Sequence, residues 1–200
     1  LFISSGAVYG PQPPGAGPLA EDARGAPDPL APVSAYGEGK RVAELRCALA
    51  ARHGALSWTS ARCFAFVGPH LPQDVHFAAG NFIGDALAGR TIVVKGDGTA
   101  VRSWLYAADL AWWLWRLLIE GDNGVAYNVG SDVAVSVRDL ATRVGALGGV
   151  DVEVRGVDRG NERNVYLPQT KRAAALGLHQ TVDLDEAIRR VRIVHEEQRR

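Results

Sequence analysis

Apolar and polar positions along this chain change period in the way an α/β protein requires. Three apolar residues open it and run into Ser4-Ser5-Gly6, the pattern of a buried strand that ends in a small polar turn at a sheet edge. Residues 11–33 hold most of the prolines and read as a long irregular loop, of a length usually kept for function. Ser34 is placed to cap a helix over 36–53 that stops at Gly54. A strand over 57–63, a loop over 64–69, a helix over 77–88 and a short β-branched strand over 91–94 follow. The turn Gly96-Asp97-Gly98 leads on to a tryptophan-rich helix over 108–120. Residues 126–129 form a strand ended by Gly130, and Ser136 caps a helix over 137–147. A strand at 152–154 and a helix over 184–197 complete the alternation.

Composition narrows the partners more than the fold. At 200 residues, 47% of them hydrophobic and 22% charged, the chain suits one soluble domain, or one and a half, with ample core. The 22 basic residues balance the 22 acidic ones, so bulk charge gives no reason to expect a nucleic-acid partner, and any bound anion must be gripped by particular arginines. Cys47 and Cys63 are too few for a disulfide scaffold, suit a reducing cytoplasm and read as small buried hydrophobes. The most apolar stretch, 104–119, is broken by Asp109 and Arg116 and is too short for a bilayer, so no membrane partner is expected. His70 and His76 lack a third ligand at a metal spacing, and no metal is expected. Trp112, Trp113 and Trp115 read as core and interface packing.

Chemistry enters at Tyr36 and Lys40, four residues apart at the start of an amphipathic helix and therefore on one face. An ammonium one turn from a phenol favours the phenolate, which lets a tyrosine exchange protons near neutral pH. A nearby serine hydroxyl can orient the substrate oxygen or relay its proton. On spacing alone, a surface pair is an equally good account.

The wider pattern resembles the extended short-chain dehydrogenase/reductases, and among them the NAD-dependent epimerase/dehydratase group that acts on nucleotide sugars. The resemblance is carried by Ser4-Ser5, Val8-Tyr9-Gly10 and Ser34-Ala35-Tyr36-Gly37-Glu38-Gly39-Lys40. It continues through Arg62 to Pro69, Gly80-Asn81-Phe82-Ile83, Lys95-Gly96-Asp97-Gly98 with Arg102-Ser103-Trp104 and Asp109, and Ala126-Tyr127-Asn128-Val129-Gly130. It implies the C-terminal part of a Rossmann-like doubly wound parallel sheet, over 1–75 and 107–135, plus a smaller α/β substrate-binding domain over 76–106 and 136–200.

The resemblance also implies roles. Ser5 is the catalytic hydroxyl, Tyr36 the acid/base at the sugar C4 hydroxyl, and Lys40 the residue that holds the nicotinamide ribose and tunes Tyr36. Tyr36, Lys40 and Phe64 are cofactor-binding, with NAD as the cofactor. Arg102 and Arg159 clamp the diphosphate in one cleft, Asn81 and the Phe82 backbone hydrogen-bond it, and Val93 and Lys95 flank the nucleobase. A cytoplasmic homodimer is the expected state.

Two departures set the expected reaction. Dehydratases of this family carry Asp-Glu after the catalytic hydroxyl, and its decarboxylases carry glutamate at the second of those positions. This chain has Gly6 and Ala7 there, so an epimerase or a 4-keto reductase is expected, with a 4,6-dehydratase or a non-catalytic remnant that binds nucleotide sugar or self-associates as the alternatives. Ala65 replaces a family asparagine near the diphosphate. The family's dinucleotide fingerprint is missing from this chain, and the resemblance starts where the family's fifth strand ends, so roughly four βα units are expected to lie upstream.

Overall fold

The opening apolar residues do form a strand, β1 (Phe2–Ser5), which turns through a single 3-10 turn at Gly6–Tyr9. In the computed structural model every residue is described except 14, 55, 74–76, 158–163 and 199–200. A second 3-10 turn, Pro32–Ser34, feeds helix α1 (Ala35–Arg52), after which come β2 (Thr59–Cys63) and β3 (Phe66–Val67). The chain continues through α2 (Ala78–Leu87), β4 (Ile92–Val94), β5 (Val101–Arg102), β6 (Leu105–Tyr106) and α3 (Ala107–Glu120). Then follow β7 (Val125–Val129), β8 (Val135–Ser136), α4 (Val137–Gly148), β9 (Val152–Val154), α5 (Lys171–Ala174) and α6 (Leu184–Gln198).

Strands β1, β2 and β7 form one parallel sheet in that order, with Ile3 opposite Ala61 and Ala61 opposite Tyr127. Side chains on a strand alternate between faces, so one register sorts this sheet into two environments. One face sends Ala61, Tyr127 and Val129 into a core with Trp113 and Leu117 of α3 and Ala173 of α5. The other carries Ser60, Arg62 and Asn128 toward α1 and the proline-rich loop. Among the described residues β1 pairs only with β2, which leaves it an edge strand.

A second core gathers around the parallel pair β4–β9, where Ile92 and Val94 pack with Phe82 and Ile83 of α2, Leu140 and Val144 of α4, and Ile188 and Val191 of α6. Short α5 packs on the three-stranded sheet, so the stretch 136–200 contributes to both cores. The expected cap at Ser136 is present, its hydroxyl accepting the Asp139 N–H at 3.0 Å. Ser34 does not cap α1; it closes the 3-10 turn that Pro32 starts and already has helical backbone angles. The two cysteines are half-buried, less enclosed than expected. Trp113 is core, whereas Trp112 and Trp115 lie on the exposed face of α3 with Leu118 and Ile119.

Candidate active site

Three of the expected residues meet where β1 ends. Ser5 is buried at the strand terminus, and its hydroxyl accepts the Ala7 N–H at 3.2 Å, which shapes the 3-10 turn. The start of α1 lies directly against that turn, close enough that a Cβ at Gly37 would stand 2.7 Å from the Ala7 carbonyl oxygen and 2.8 Å from Pro27 Cγ. Glycine at 37 therefore lets the helix bring Tyr36 to the turn. Tyr36 is 61% exposed. One turn on, the Lys40 ammonium donates to the Ile3 carbonyl at 2.8 Å and stands 5.7 Å from the Tyr36 ring centroid. Lys40 thus ties the Tyr36 helix to the strand that delivers Ser5.

Beside Ser5 stands an aromatic wall that local spacing does not reveal. Phe64 and Tyr166 stack at 4.6 Å between centroids, and Tyr9 lies 6.4 Å from Phe64. The Tyr166 hydroxyl stands against Gly6, where a Cβ would meet it, and the charge of Arg102 acts on the phenol. Burial drives its ionisation well above the ordinary tyrosine range, so it stays neutral. Close by, burial pushes the Cys63 thiol up to about 11 against the lowering effect of Lys40, which leaves it a poor nucleophile.

The substrate-side expectations divide. Asn81, Phe82, Val93 and Lys95 line one cleft of about 660 Å³ beside the turn Gly96-Asp97-Gly98. The Asn81 amide oxygen is buried there with no hydrogen-bond partner among the described residues. Arg102 is not among the residues that line that cleft. Its position in β5, paired with β8, sends the guanidinium over the Tyr166 ring at 5.9 Å and onto the Val101 and Asn164 carbonyls at 2.8 and 2.7 Å. Arg159 and His76 lie outside the described residues. Among the described residues no group of three His, Cys, Asp or Glu side chains could hold a metal, and no helix is long and apolar enough to cross a membrane.

Beneath the site three of the sequence motifs converge in one polar network. Arg62 makes a bidentate pair with Glu44 of α1, Nε at 3.0 Å and Nη2 at 2.7 Å, and its Nη1 donates to the Tyr9 hydroxyl and the Glu21 carbonyl, each at 3.0 Å. Tyr9 donates to Asn128 Oδ1 at 2.7 Å, and Asn128 Nδ2 donates to the Leu19 carbonyl at 2.7 Å. Burial alone would raise the Glu44 pKa, but the bonds and charge of Arg62 outweigh it and hold the carboxyl below its ordinary value. The network fastens the proline-rich loop, the turn after Ser5 and α1 to strands β2 and β7.

A parallel sheet that presents a serine beside a Tyr-x-x-x-Lys helix, with a separate cleft-bearing lobe, has the arrangement of a short-chain dehydrogenase/reductase. The sequence model of the NAD dependent epimerase/dehydratase family matches residues 1–130, and the chain belongs to that family. It is 35% identical to UDP-glucuronic acid decarboxylase 6 of Arabidopsis thaliana over 79% of its own length and 45% of that protein. To UDP-glucuronic acid decarboxylase 5 of the same plant it is 32% identical over 94% of this chain and 55% of the relative. The crystal structure of a UDP-glucose 4-epimerase from Thermotoga maritima with UDP-glucose superposes with a TM-score of 0.85 at 24% identity, covering 100% of this chain and 63% of the other. The chain spans about half the length of the curated relatives it matches.

Proposed function

We propose that this chain carries the Ser-Tyr-Lys centre and the substrate-binding lobe of an NAD-dependent nucleotide-sugar 4-epimerase or 4-keto reductase. Tyr36 exchanges the proton of the sugar C4 hydroxyl, Ser5 hydrogen-bonds the same oxygen, and Lys40 holds the nicotinamide ribose beside them. The donor set suits that cofactor end, because an exposed phenol and an ammonium share one helix face next to the Ser5 strand end. NAD supplies the hydride acceptor and donor at C4. The chain's own residues supply alignment and the path for the proton.

One observation carries the choice of reaction. The two residues after Ser5 are Gly6 and Ala7, and a Cβ at position 6 would meet the Tyr166 hydroxyl and come within 2.7 Å of Phe64 Cζ. No side chain at either position can donate or accept a proton, so elimination or decarboxylation assisted by a carboxylate there has no acid or base. This parts the chain from the decarboxylases it resembles in sequence. Incubation of a protein that also carries the dinucleotide-binding half with NAD and a panel of UDP-, GDP-, CDP- and dTDP-sugars, and of the 4-keto sugars with NADH, followed by chromatography and mass spectrometry, tests it. An epimerase product has the mass of its substrate, and a reduced 4-keto sugar gains two hydrogens. Release of water or carbon dioxide would overturn the reading.

Arg102 is assigned to the substrate diphosphate. Two of its bonds go to backbone carbonyls, and the guanidinium has further N–H donors for phosphate oxygens. Arg102→Ala is expected to weaken nucleotide-sugar binding by about 1.5–3 kcal/mol, the scale of a charged hydrogen bond. Calorimetry that finds nucleoside and nucleoside diphosphate equally affected would contradict a diphosphate contact.

A further inference from the structure

An α-helix turns by about 100° per residue, so side chains two positions apart point in nearly opposite directions. On α3 the side that carries Trp113 and Leu117 packs on the three-stranded sheet. Trp112, Trp115 and Ile119 fall within about 60° of one another on the side that points away from the sheet. They are 55%, 63% and 74% exposed, and none belongs to either core. Half-exposed Leu118 and the exposed Ala108 and Ala111 border this stripe. A strand added at the free edge of β1 would extend the sheet in its own plane and would not reach this outward side. Trp112 is also held in place. The Arg116 guanidinium lies 5.6 Å from its ring centroid and is bonded in turn to the Glu120 carboxylate and, at 3.3 Å, to the Leu176 carbonyl.

We propose that this stripe is the contact between two copies of the chain, made by α3 packing antiparallel on α3 about a two-fold axis at Trp115. The role does not depend on the reaction assigned above. Three observations select a second copy as the occupant. The stripe is neutral, because the charged side chains next to it, Arg116 and Glu120, pair with each other, so the face can meet itself without opposing like charges. A helix lying on a lipid surface would instead carry lysines and arginines along its polar border, and α3 has Arg116 alone. The pattern also matches itself: the two-fold that sets Trp112 against Ile119 of the second copy brings the two Trp115 rings together at the centre. The area is sufficient, since each copy offers about 500 Å² of apolar surface, and the roughly 1,000 Å² buried by two is where specific interfaces begin. Tryptophans are frequent anchors of such contacts, and fixing Trp112 beforehand lowers the ordering cost of binding. Because α1 lies on the other face of the sheet, the pairing leaves Tyr36 and Lys40 accessible.

Sedimentation velocity on the 200-residue chain over the micromolar range tests this. Wild type is expected to associate reversibly into dimers. Trp112→Ala and Trp115→Ala are each expected to weaken association about 30-fold or more, the scale of an interface hot spot, and Trp115→Glu, which opposes two carboxylates at the axis, to abolish it. Circular dichroism should stay the same in all three variants, because these side chains lie outside both cores. Ile3→Lys at the free edge of β1 and Leu45→Glu on the exposed face of α1 are expected to sediment as wild type does. A wild-type chain that stays monomeric, or a Trp115→Glu variant that associates as before, would overturn the proposal. Dissociation by Ile3→Lys or Leu45→Glu in place of Trp115→Glu would move the contact to another face and overturn it equally. Flotation with phosphatidylcholine vesicles, with and without phosphatidylserine, tests the other occupant. Vesicle binding that Trp115→Glu removes, in a chain that never dimerises, would give the stripe to a lipid surface and sink the pairing.

Discussion

In a protein that also carries the dinucleotide-binding half, Tyr36→Phe is expected to lower turnover by about 10²–10⁴-fold, the contribution typical of a general acid–base residue, and to leave nucleotide-sugar affinity nearly unchanged. The substitution removes one oxygen and keeps the ring. At 61% exposure the Tyr36 ring contributes little to any core, so its loss of a hydroxyl should alter stability by no more than about 0.5 kcal/mol. Lys40 stays bonded to the Ile3 carbonyl in the variant, so the helix and the Ser5 strand remain registered. A fall in turnover in a protein that melts and binds as before therefore isolates the proton step. Near-normal turnover would remove Tyr36 from that role and leave Ser5 or Tyr166 to be tested in its place.

The largest effect on stability is expected at Arg62. Its guanidinium is the one cation bonded to Glu44 among the described residues, and both side chains are mostly buried, 17% and 12% exposed. Arg62→Met keeps most of the volume but strands a carboxylate that the Ser60 hydroxyl alone continues to bond. Breaking a buried pair in this way costs about 3 kcal/mol or more, which for a chain of this size lowers Tm by roughly 6–12 °C. The pH dependence identifies the cause. The folded Glu44 pKa lies below its ordinary value of 4.5, so the pair's contribution is fully present above 4.5 and is lost as pH falls through the folded value. Wild type and variant should therefore differ most near neutral pH and converge as the solution is acidified below about 4.5. A gap that stays constant through that range would show that Arg62 stabilises by packing and not through Glu44.

Much of this architecture could be read from periodicity, because α1, α3, α4 and α6 are long enough to show an apolar face. Ser136 capped where expected because it follows an extended residue and precedes a helical run. Ser34 failed for a local reason: Pro32 starts a tight turn two residues earlier, and the serine is already wound into it. Strands β3, β5, β6 and β8 have two residues each, too few to display any alternation. Within the site, Ser5, Tyr36 and Lys40 were legible because a strand end and one helical turn hold them in local patterns. Tyr166 was not, since nothing in its neighbourhood refers to Gly6 at the far end of the chain, and only the packing there brings the two together. Arg62 was legible only as the first residue of a family-like segment, and its partner Glu44 is on a different element with no spacing to connect them.

The register of the three-stranded sheet has a consequence for how the chain reaches this structure. Phe2 pairs with Ser60 and Thr59 with Val125, so each ladder joins residues about sixty positions apart. Parallel pairing of this kind requires loop closure before any ladder bond can form, which places the chain among slow folders of high contact order. Helix α3, built from local contacts, can form long before β7 docks beneath it. During that interval Trp112, Trp115, Leu118 and Ile119, which remain exposed even at the end, are joined by the unburied Trp113 and Leu117. Yield on refolding should therefore depend on chain concentration more than on final stability, and synthesis at low temperature and dilute refolding are the conditions that favour the native chain.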